Sequence, residues 1–174
     1  MAPDINPSDR EAFVLDSTAF YAGITSTGIS VYYTTPSVIR EVFNNKALSM
    51  AIPALIESKR MMVIEPLNHI IKEVRLMASK SGDIHKLSNT DISIVALGIQ
   101  LRQEGYDAII ISDDYSVQNL VRFFGLKFSP VMIRGITKTI RWLIYCSGCG
   151  KVFYDGSSTT CDICGTVLKR KRRK

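Results

Sequence analysis

The amino-acid sequence predicts an α/β domain, with a mainly parallel central sheet flanked by helices, joined to a small C-terminal β module built around four cysteines. Three observations carry this expectation. Short β-branched apolar runs alternate with segments of helical period, the pattern of repeated strand–helix–strand units. All four cysteines, Cys146, Cys149, Cys161 and Cys164, fall within 19 of the 174 residues, and the first 145 contain none. The last six residues, Lys169 to Lys174, are all basic; without them the basic and acidic counts are equal, so the net charge of +6 belongs to one end and not to the fold. With 46% hydrophobic and 22% charged residues, the composition excludes collagen-like, coiled-coil and wholly disordered chains.

The elements follow in order. Residues 1–11 read as a mobile lead-in; their two prolines and four charges occupy the place where an export signal would need an apolar stretch, so the expected location is cytoplasmic. Ala12 to Leu15 is a strand candidate ending at Asp16, and Ser17 is placed to cap a helix reaching about Ile24. Val31 to Thr34 has strand character, and Pro36 suits the first turn of a helix that aligns Val38, Ile39, Val42 and Phe43. A short helix is expected after Pro53 and a strand at Met61 to Ile64. Apolar residues at 67, 70, 71, 74, 77 and 78 form an amphipathic stripe, broken at Ser81, Gly82 and Asp83. Ile92 to Leu101 is apolar on nearly all sides, a buried helix capped by Ser88 or Asn89. Ala108 to Ile111 is a strand, a helix runs to about Phe124, and residues 127–145 are β-rich. No apolar run approaches the roughly 18 residues that a membrane span needs, so no membrane partner is expected.

The cysteines read Cys146-x2-Cys149, eleven residues, Cys161-x2-Cys164. Each Cys-x2-Cys loop aims two thiolates at one ion, and two such loops complete a tetrahedral zinc shell. Gly150 and Gly165 follow the second cysteine of each pair, where a tight turn asks for positive φ. Disulfides or a redox pair are the competing readings. One Zn2+ with no fifth ligand nearby is closed and structural, which makes this segment a zinc ribbon.

Acidic residues form the second constellation. Asp16 and Asp113 each follow a strand directly, at the carboxyl ends where clefts form in a parallel α/β sheet. Asp91 sits in the first turn of the buried helix, and Glu41 on the helix begun at Pro36. Carboxylates gathered at one edge repel each other, and a hard divalent cation such as Mg2+ or Mn2+ offsets that repulsion. Each acid also has a plainer reading: Asp16 as a helix cap, Asp91 as a complement to a helix dipole, Glu41 as an exposed helical residue.

The segments VLDSTAFY (14–21), VIREV (38–42), SNTDISIVALG (88–98) and IISDDYSVQNL (110–120) together resemble the PIN-domain nucleases. With the four-cysteine ribbon and basic tail, the chain is similar to the archaeal form of the NIN-one-binding family, which matures the 3′ end of small-subunit rRNA. The resemblance implies a PIN domain over 12–135, a linker at 136–144, a ribbon at 145–168 and a tail at 169–174. It implies catalytic roles for Asp16, Glu41, Asp91 and Asp113, with Asp16, Asp91, Asp113 and Asp114 around one or two Mg2+ or Mn2+ ions, Asp114 as an additional neighbour. The implied chemistry is hydrolysis by a metal-activated water, leaving a 5′-phosphate and a 3′-hydroxyl; Asp113→Asn is then expected to abolish cleavage. Ser17, Thr18 and Ser112 would orient the acids. The implied partners are precursor small-subunit rRNA, the pre-small ribosomal subunit and a KH-domain assembly factor.

RNA contacts are expected from Lys151, Phe153 and Tyr154 near the ribbon tip and from Lys169, Arg170, Lys171, Arg172, Arg173 and Lys174, with Arg122, Lys127 and Arg134 as a further basic path. Deleting the tail, residues 169–174, is expected to flatten the salt dependence of RNA binding and to leave the thermal stability of the fold little changed; the plainer reading of the tail is a solvated, solubilising segment. His69 and His85 are expected to be non-catalytic, and Trp142 and Tyr145 to pack. Two functions compete with rRNA maturation: a non-catalytic assembly factor that binds through the ribbon, and a toxin-type PIN ribonuclease.

Overall fold

The computed structural model describes residues 11–24, 31–81, 86–131, 142–154 and 158–172. Residues 1–10 of the expected lead-in, the Gly82-Asp83 break, His85, Arg134, most of the linker, the Gly156 turn, Arg173 and Lys174 lie outside them, whereas Glu11, the last residue of that lead-in, already belongs to a strand. Five strands make the larger sheet: β1 (Glu11–Leu15), β2 (Tyr32–Thr34), β3 (Met61–Val63), β4 (Asp107–Ile111) and β5 (Lys127–Ser129). Their order is β3-β2-β1-β4-β5, and every neighbouring pair is parallel. The chain winds outward from β1 to β3, then returns to the other side of β1 with β4. Between β1 and β4 the winding direction reverses, and the carboxyl ends at such a switch point open a crevice. Asp16 and the Ser112-Asp113-Asp114 turn stand at that point, because Leu15 pairs with Ile111.

Six helices connect the strands: α1 (Ser17–Tyr21), α2 (Pro36–Val42), α3 (Lys46–Glu57), α4 (Asn68–Ser81), α5 (Asn89–Gln103) and α6 (Tyr115–Phe123). α5 is the buried helix that its sequence requires, with every residue from Ile92 to Ile99 out of solvent, packed on β1 and β4. α4 sends Ile70, Val74 and Ala78 inward, as its apolar period demands. α3 departs from expectation: it starts at Lys46, and Pro53 lies inside it. The Asn45 side chain accepts from the Ala47 and Leu48 amides, a cap strong enough to start the helix about two turns before the proline. No helix among the described residues is long and apolar enough to cross a membrane.

The second sheet is antiparallel: β6 (Trp142–Cys146) lies between β7 (Val152–Phe153) and β8 (Leu168–Arg172). This corrects the loose-tail expectation. Lys169, Arg170, Lys171 and Arg172 are residues of β8, paired from Leu168↔Cys146 to Arg172↔Trp142. The aromatic residues of β6 explain why so basic a run forms a strand. Arg170 lies 4.2 Å over the Trp142 ring and Lys171 4.7 Å over the Tyr145 ring, diagonal pairs on opposite faces of the sheet.

Candidate functional site: a carboxylate cleft and a four-thiolate centre

Three helix starts meet at the crevice, each carrying an acid. Asp16 caps α1, its carboxylate accepting from the Ser17 amide at 2.6 Å; the cap is thus Asp16 and not Ser17. Asp114 caps α6, accepting from the Ser116 and Val117 amides. Asp91 forms a reciprocal capping box with Ser88 at the start of α5: the Ser88 amide donates to Oδ2 at 2.7 Å, and the Asp91 amide donates to the Ser88 hydroxyl at 3.1 Å. The plain reading of these acids as caps and the functional one therefore hold together, since the same turns place three carboxylates at one sheet edge.

Hydroxyls brace the acids. Ser112, fully buried, donates to Asp16 Oδ2 at 2.7 Å and accepts the Asp114 amide at 3.1 Å, so one side chain links two acids. Thr18 lies 3.4 Å from the same Asp16 oxygen and accepts the Asp113 amide at 3.2 Å. From below, the buried Gln118 amide holds the Ser112 carbonyl at 2.8 Å. Asp16 is only 3% exposed. Burial pushes its carboxyl above the usual range; the Ser112 and Ser17 hydrogen bonds pull it down, and the charge of Asp114 pushes it up again. Asp91 is raised to about 6, chiefly by burial, with the charges of Asp16 and Asp114 adding to the rise against the Ser88 bonds. Neither Asp16, Asp91 nor Asp114 forms an ion pair among the described residues. Mutual repulsion without a counter-charge is the setting that a divalent cation relieves.

The adjacent acids of the β4 turn separate. Asp113 sends Oδ1 to the Val131 amide at 2.9 Å, fastening the turn to the segment after β5, while Asp114 is the one whose charge bears on Asp16 and Asp91. Glu41 stands exposed in the last turn of α2, with no hydrogen bond to the other acids among the described residues. Its helix is tied to α5 by three hydroxyls, Thr35, Ser37 and Ser93, which lie 2.8–2.9 Å from one another; Ser93 also donates to the Thr90 carbonyl. Among the described residues, no three of these carboxylates bring ligand oxygens within 4.8 Å of one another.

The cysteines converge more tightly. Their four Sγ atoms lie within 4.8 Å of one another, with Cys146–Cys164 at 3.3 Å and Cys149–Cys161 at 3.5 Å. Those separations are far beyond a disulfide bond and close to the edge of a tetrahedron with metal–sulfur bonds of about 2.3 Å. The Gly148 and Cys149 amides donate to Cys146 Sγ and the Ile163 amide to Cys161 Sγ, so both loops wrap a thiolate with backbone N–H groups. The Cys149 amide is the main cause of the lowering of the Cys146 thiol to about 6. Gly150 and Gly165 adopt φ of 79° and 70°, as their placement requires. Gly148 has a reason that spacing did not reveal: a Cβ there would lie 2.8 Å from the Thr166 hydroxyl and 3.3 Å from Cys164 Sγ.

The expected RNA contacts divide. Tyr154 is 79% exposed, and Phe153 is half-buried under the Lys151 ammonium. Lys151 is paired with Asp162 at 2.6 Å, so its charge is largely neutralised within the ribbon. Lys127 is likewise paired with Asp107, and His69 is exposed on α4. Sequence reasoning missed Gln118 and the hydroxyl trio; polar residues on the buried faces of α2, α5 and α6 were the signal.

The PIN domain of ribonuclease family matches residues 13–101, a span holding Asp16, Glu41 and Asp91. The chain is 38% identical over 157 residues to Endoribonuclease Nob1 of Pyrococcus abyssi, covering 90% of this chain and 91% of that protein. It is 36% identical over 162 residues to Endoribonuclease Nob1 of Methanothermobacter thermautotrophicus, covering 92% and 93%. Ribonuclease VapC1 of Thermoplasma acidophilum is 41% identical over 134 residues, covering 77% of this chain and 64% of that protein. Carboxylates at the sheet's switch point, a four-cysteine β module and similarity along nine-tenths of the chain agree: the protein belongs to the Nob1 family of PIN-domain endoribonucleases.

Proposed function

We propose that this protein is an endoribonuclease that cuts precursor small-subunit rRNA at its 3′ end during ribosome assembly in the cytoplasm, acting on the pre-small subunit. The observation that carries the reading is the meeting of Asp16, Asp91 and Asp114 where the sheet reverses direction, in a chain so closely related to endoribonucleases. Asp16, Asp91 and Asp114, with Glu41 at the rim, are the residues to hold Mg2+ or Mn2+; when bound, that ion supplies neutralising charge for the phosphodiester and for an attacking water. Asp113 braces the turn instead. Among the described residues, the Ser112 and Thr18 hydroxyls beside the acids are engaged with Asp16 and the turn amides, which supports an external nucleophile. Water is then the attacking group, and the products carry a 5′-phosphate and a 3′-hydroxyl. The four cysteines hold one structural Zn2+, which keeps the ribbon folded and sets its basic strand beside the nuclease domain.

The similarity to VapC1 supports a second reading, a toxin-type ribonuclease acting on other RNAs. Incubating the protein with a precursor-rRNA fragment and Mn2+, then mapping the cut, separates them. A single cut at the 3′ boundary of the small-subunit rRNA is expected. Cleavage of tRNA or mRNA with that boundary left intact overturns the rRNA assignment, and no cleavage of any RNA favours a non-catalytic assembly factor.

A further inference from the structure

The end of β2 carries two buried hydroxyls whose bonds run to different elements. Thr34 and Thr35 are both shut off from solvent. The Thr34 hydroxyl donates to the Leu15 carbonyl at 2.9 Å, on the residue directly before Asp16. β2 pairs with β1 at Phe13↔Tyr32 and Val14↔Tyr33, so this side-chain bond carries the contact past the ladder to the foot of the first acid. Thr35 stands at the N-cap of α2, where a threonine hydroxyl ordinarily accepts an amide of the first turn. Among the described residues it makes no such bond. Its Oγ1 lies instead 2.9 Å from the Ser37 hydroxyl and 2.9 Å from that of Ser93 on α5, two residues after Asp91.

The protons of this cluster can be placed. Ser93 donates to the Thr90 carbonyl at 2.7 Å, so its oxygen is left to accept. Thr35 and Ser37, at 2.9 and 2.8 Å, supply the donors. Bonds thus run from the start of α2 into Ser93 and on to the carbonyl just before Asp91, each polarising the next. An apolar side chain would fill the same space; what a hydroxyl adds is a fixed distance, because O···O contacts hold near about 2.8 Å while a methyl needs about 3.4 Å. Resting on the cation-binding cleft put forward above, we propose that Thr34 and Thr35 are positioning residues that fix Asp16 relative to Asp91, and so set the affinity of the cleft for its divalent cation. Their part is to hold two acid-bearing backbones, not to ligate.

Thr35→Val keeps the shape of the side chain but puts a methyl where the hydroxyl stood, pushing Ser93 and the start of α5 away by about half an ångström. Thr34→Val does the same at the Leu15 carbonyl. The zinc-loaded full chain is titrated with Mn2+ in the absence of RNA, and free Mn2+ is followed by electron paramagnetic resonance. Wild type is expected to bind Mn2+ saturably. Each valine variant should raise the half-saturating concentration at least about fivefold, as loss of a group that holds a metal ligand in place does, and Thr34→Ser and Thr35→Ser should stay within about twofold of wild type. A merely structural role would lower the unfolding temperature of the valine variants and leave the Mn2+ curve of the folded protein where it was. Wild-type Mn2+ affinity in Thr35→Val and Thr34→Val overturns the proposal, as does a weakening that the serine variants share. Failure of the cleft reading looks different: wild type would bind no Mn2+, or Asp16→Asn and Asp114→Asn would bind it as tightly as wild type, and either result takes the proposal with it. The nuclease reading is tested apart, by cut product from precursor rRNA.

Discussion

Ser112 uses one hydroxyl twice, giving its proton to Asp16 and taking the amide proton of Asp114, so the two acids cannot drift apart without breaking a buried contact. Electrostatics works against that closeness. Asp91, raised from 3.8 to about 6 chiefly by burial, keeps its proton in the folded chain at pH values where the unfolded chain has lost it. Ionisation therefore costs the folded state stability as pH rises from about 4 to 6, and the loss then levels off. The shift corresponds to at most about 3 kcal/mol, and the partial exposure of Asp91 reduces this to roughly 1–2 kcal/mol. Asp91→Asn should thus match wild type near pH 4 and exceed it by that margin at pH 7 in Mg2+-free buffer, measured by denaturant unfolding. Adding Mg2+ should shrink the difference, and an unchanged gap would show that no cation meets Asp91.

At the scale of elements, β8 decides what the basic C-terminus is. Five of its residues pair with β6, and two of its cations stack on β6 aromatics, so removing 169–174 removes most of a strand from the sheet that carries Cys146. A chain ending at Leu168 is expected to lose zinc at a lower chelator concentration than the full chain, read with a zinc indicator; equal retention would mean that β8 does not support the centre. Charge is better tested by Lys169→Gln with Lys171→Gln, which keeps the strand and should lower the salt slope of RNA binding by up to about two. The same strand shows why the sequence misled. Six consecutive basic residues carry no alternation, and the strand character of Lys169 to Arg172 comes from Trp142 and Tyr145 some 25 to 30 positions earlier. The buried helix α5, the strands of the larger sheet and the cysteine turns were legible because each is written in its own period or spacing. Pro53 misplaced the start of α3 because a local breaker was given more weight than the Asn45 cap.

At the scale of the whole molecule, the order β3-β2-β1-β4-β5 brings together residues nearly 100 positions apart. Asp16, Asp91 and the β4 turn could be named from the sequence because each ends a strand or begins a helix. The choice we propose between two adjacent aspartates is not written in the spacing; it is supported by the Val131 amide bond to Asp113 and by the charge of Asp114 on Asp16 and Asp91. The ion pair of Lys151 is equally hidden in the sequence, because its partner, Asp162, lies eleven residues away across the cysteine loops.

The choice between those aspartates tests the whole arrangement. Single-turnover cleavage of precursor rRNA with saturating Mn2+ should fall at least about 100-fold in Asp114→Asn, and less than about tenfold in Asp113→Asn, whose loss is one of turn rigidity. RNA affinity should change little in either. Full activity in Asp114→Asn, or collapse in Asp113→Asn alone, would contradict a cleft formed by Asp16, Asp91 and Asp114.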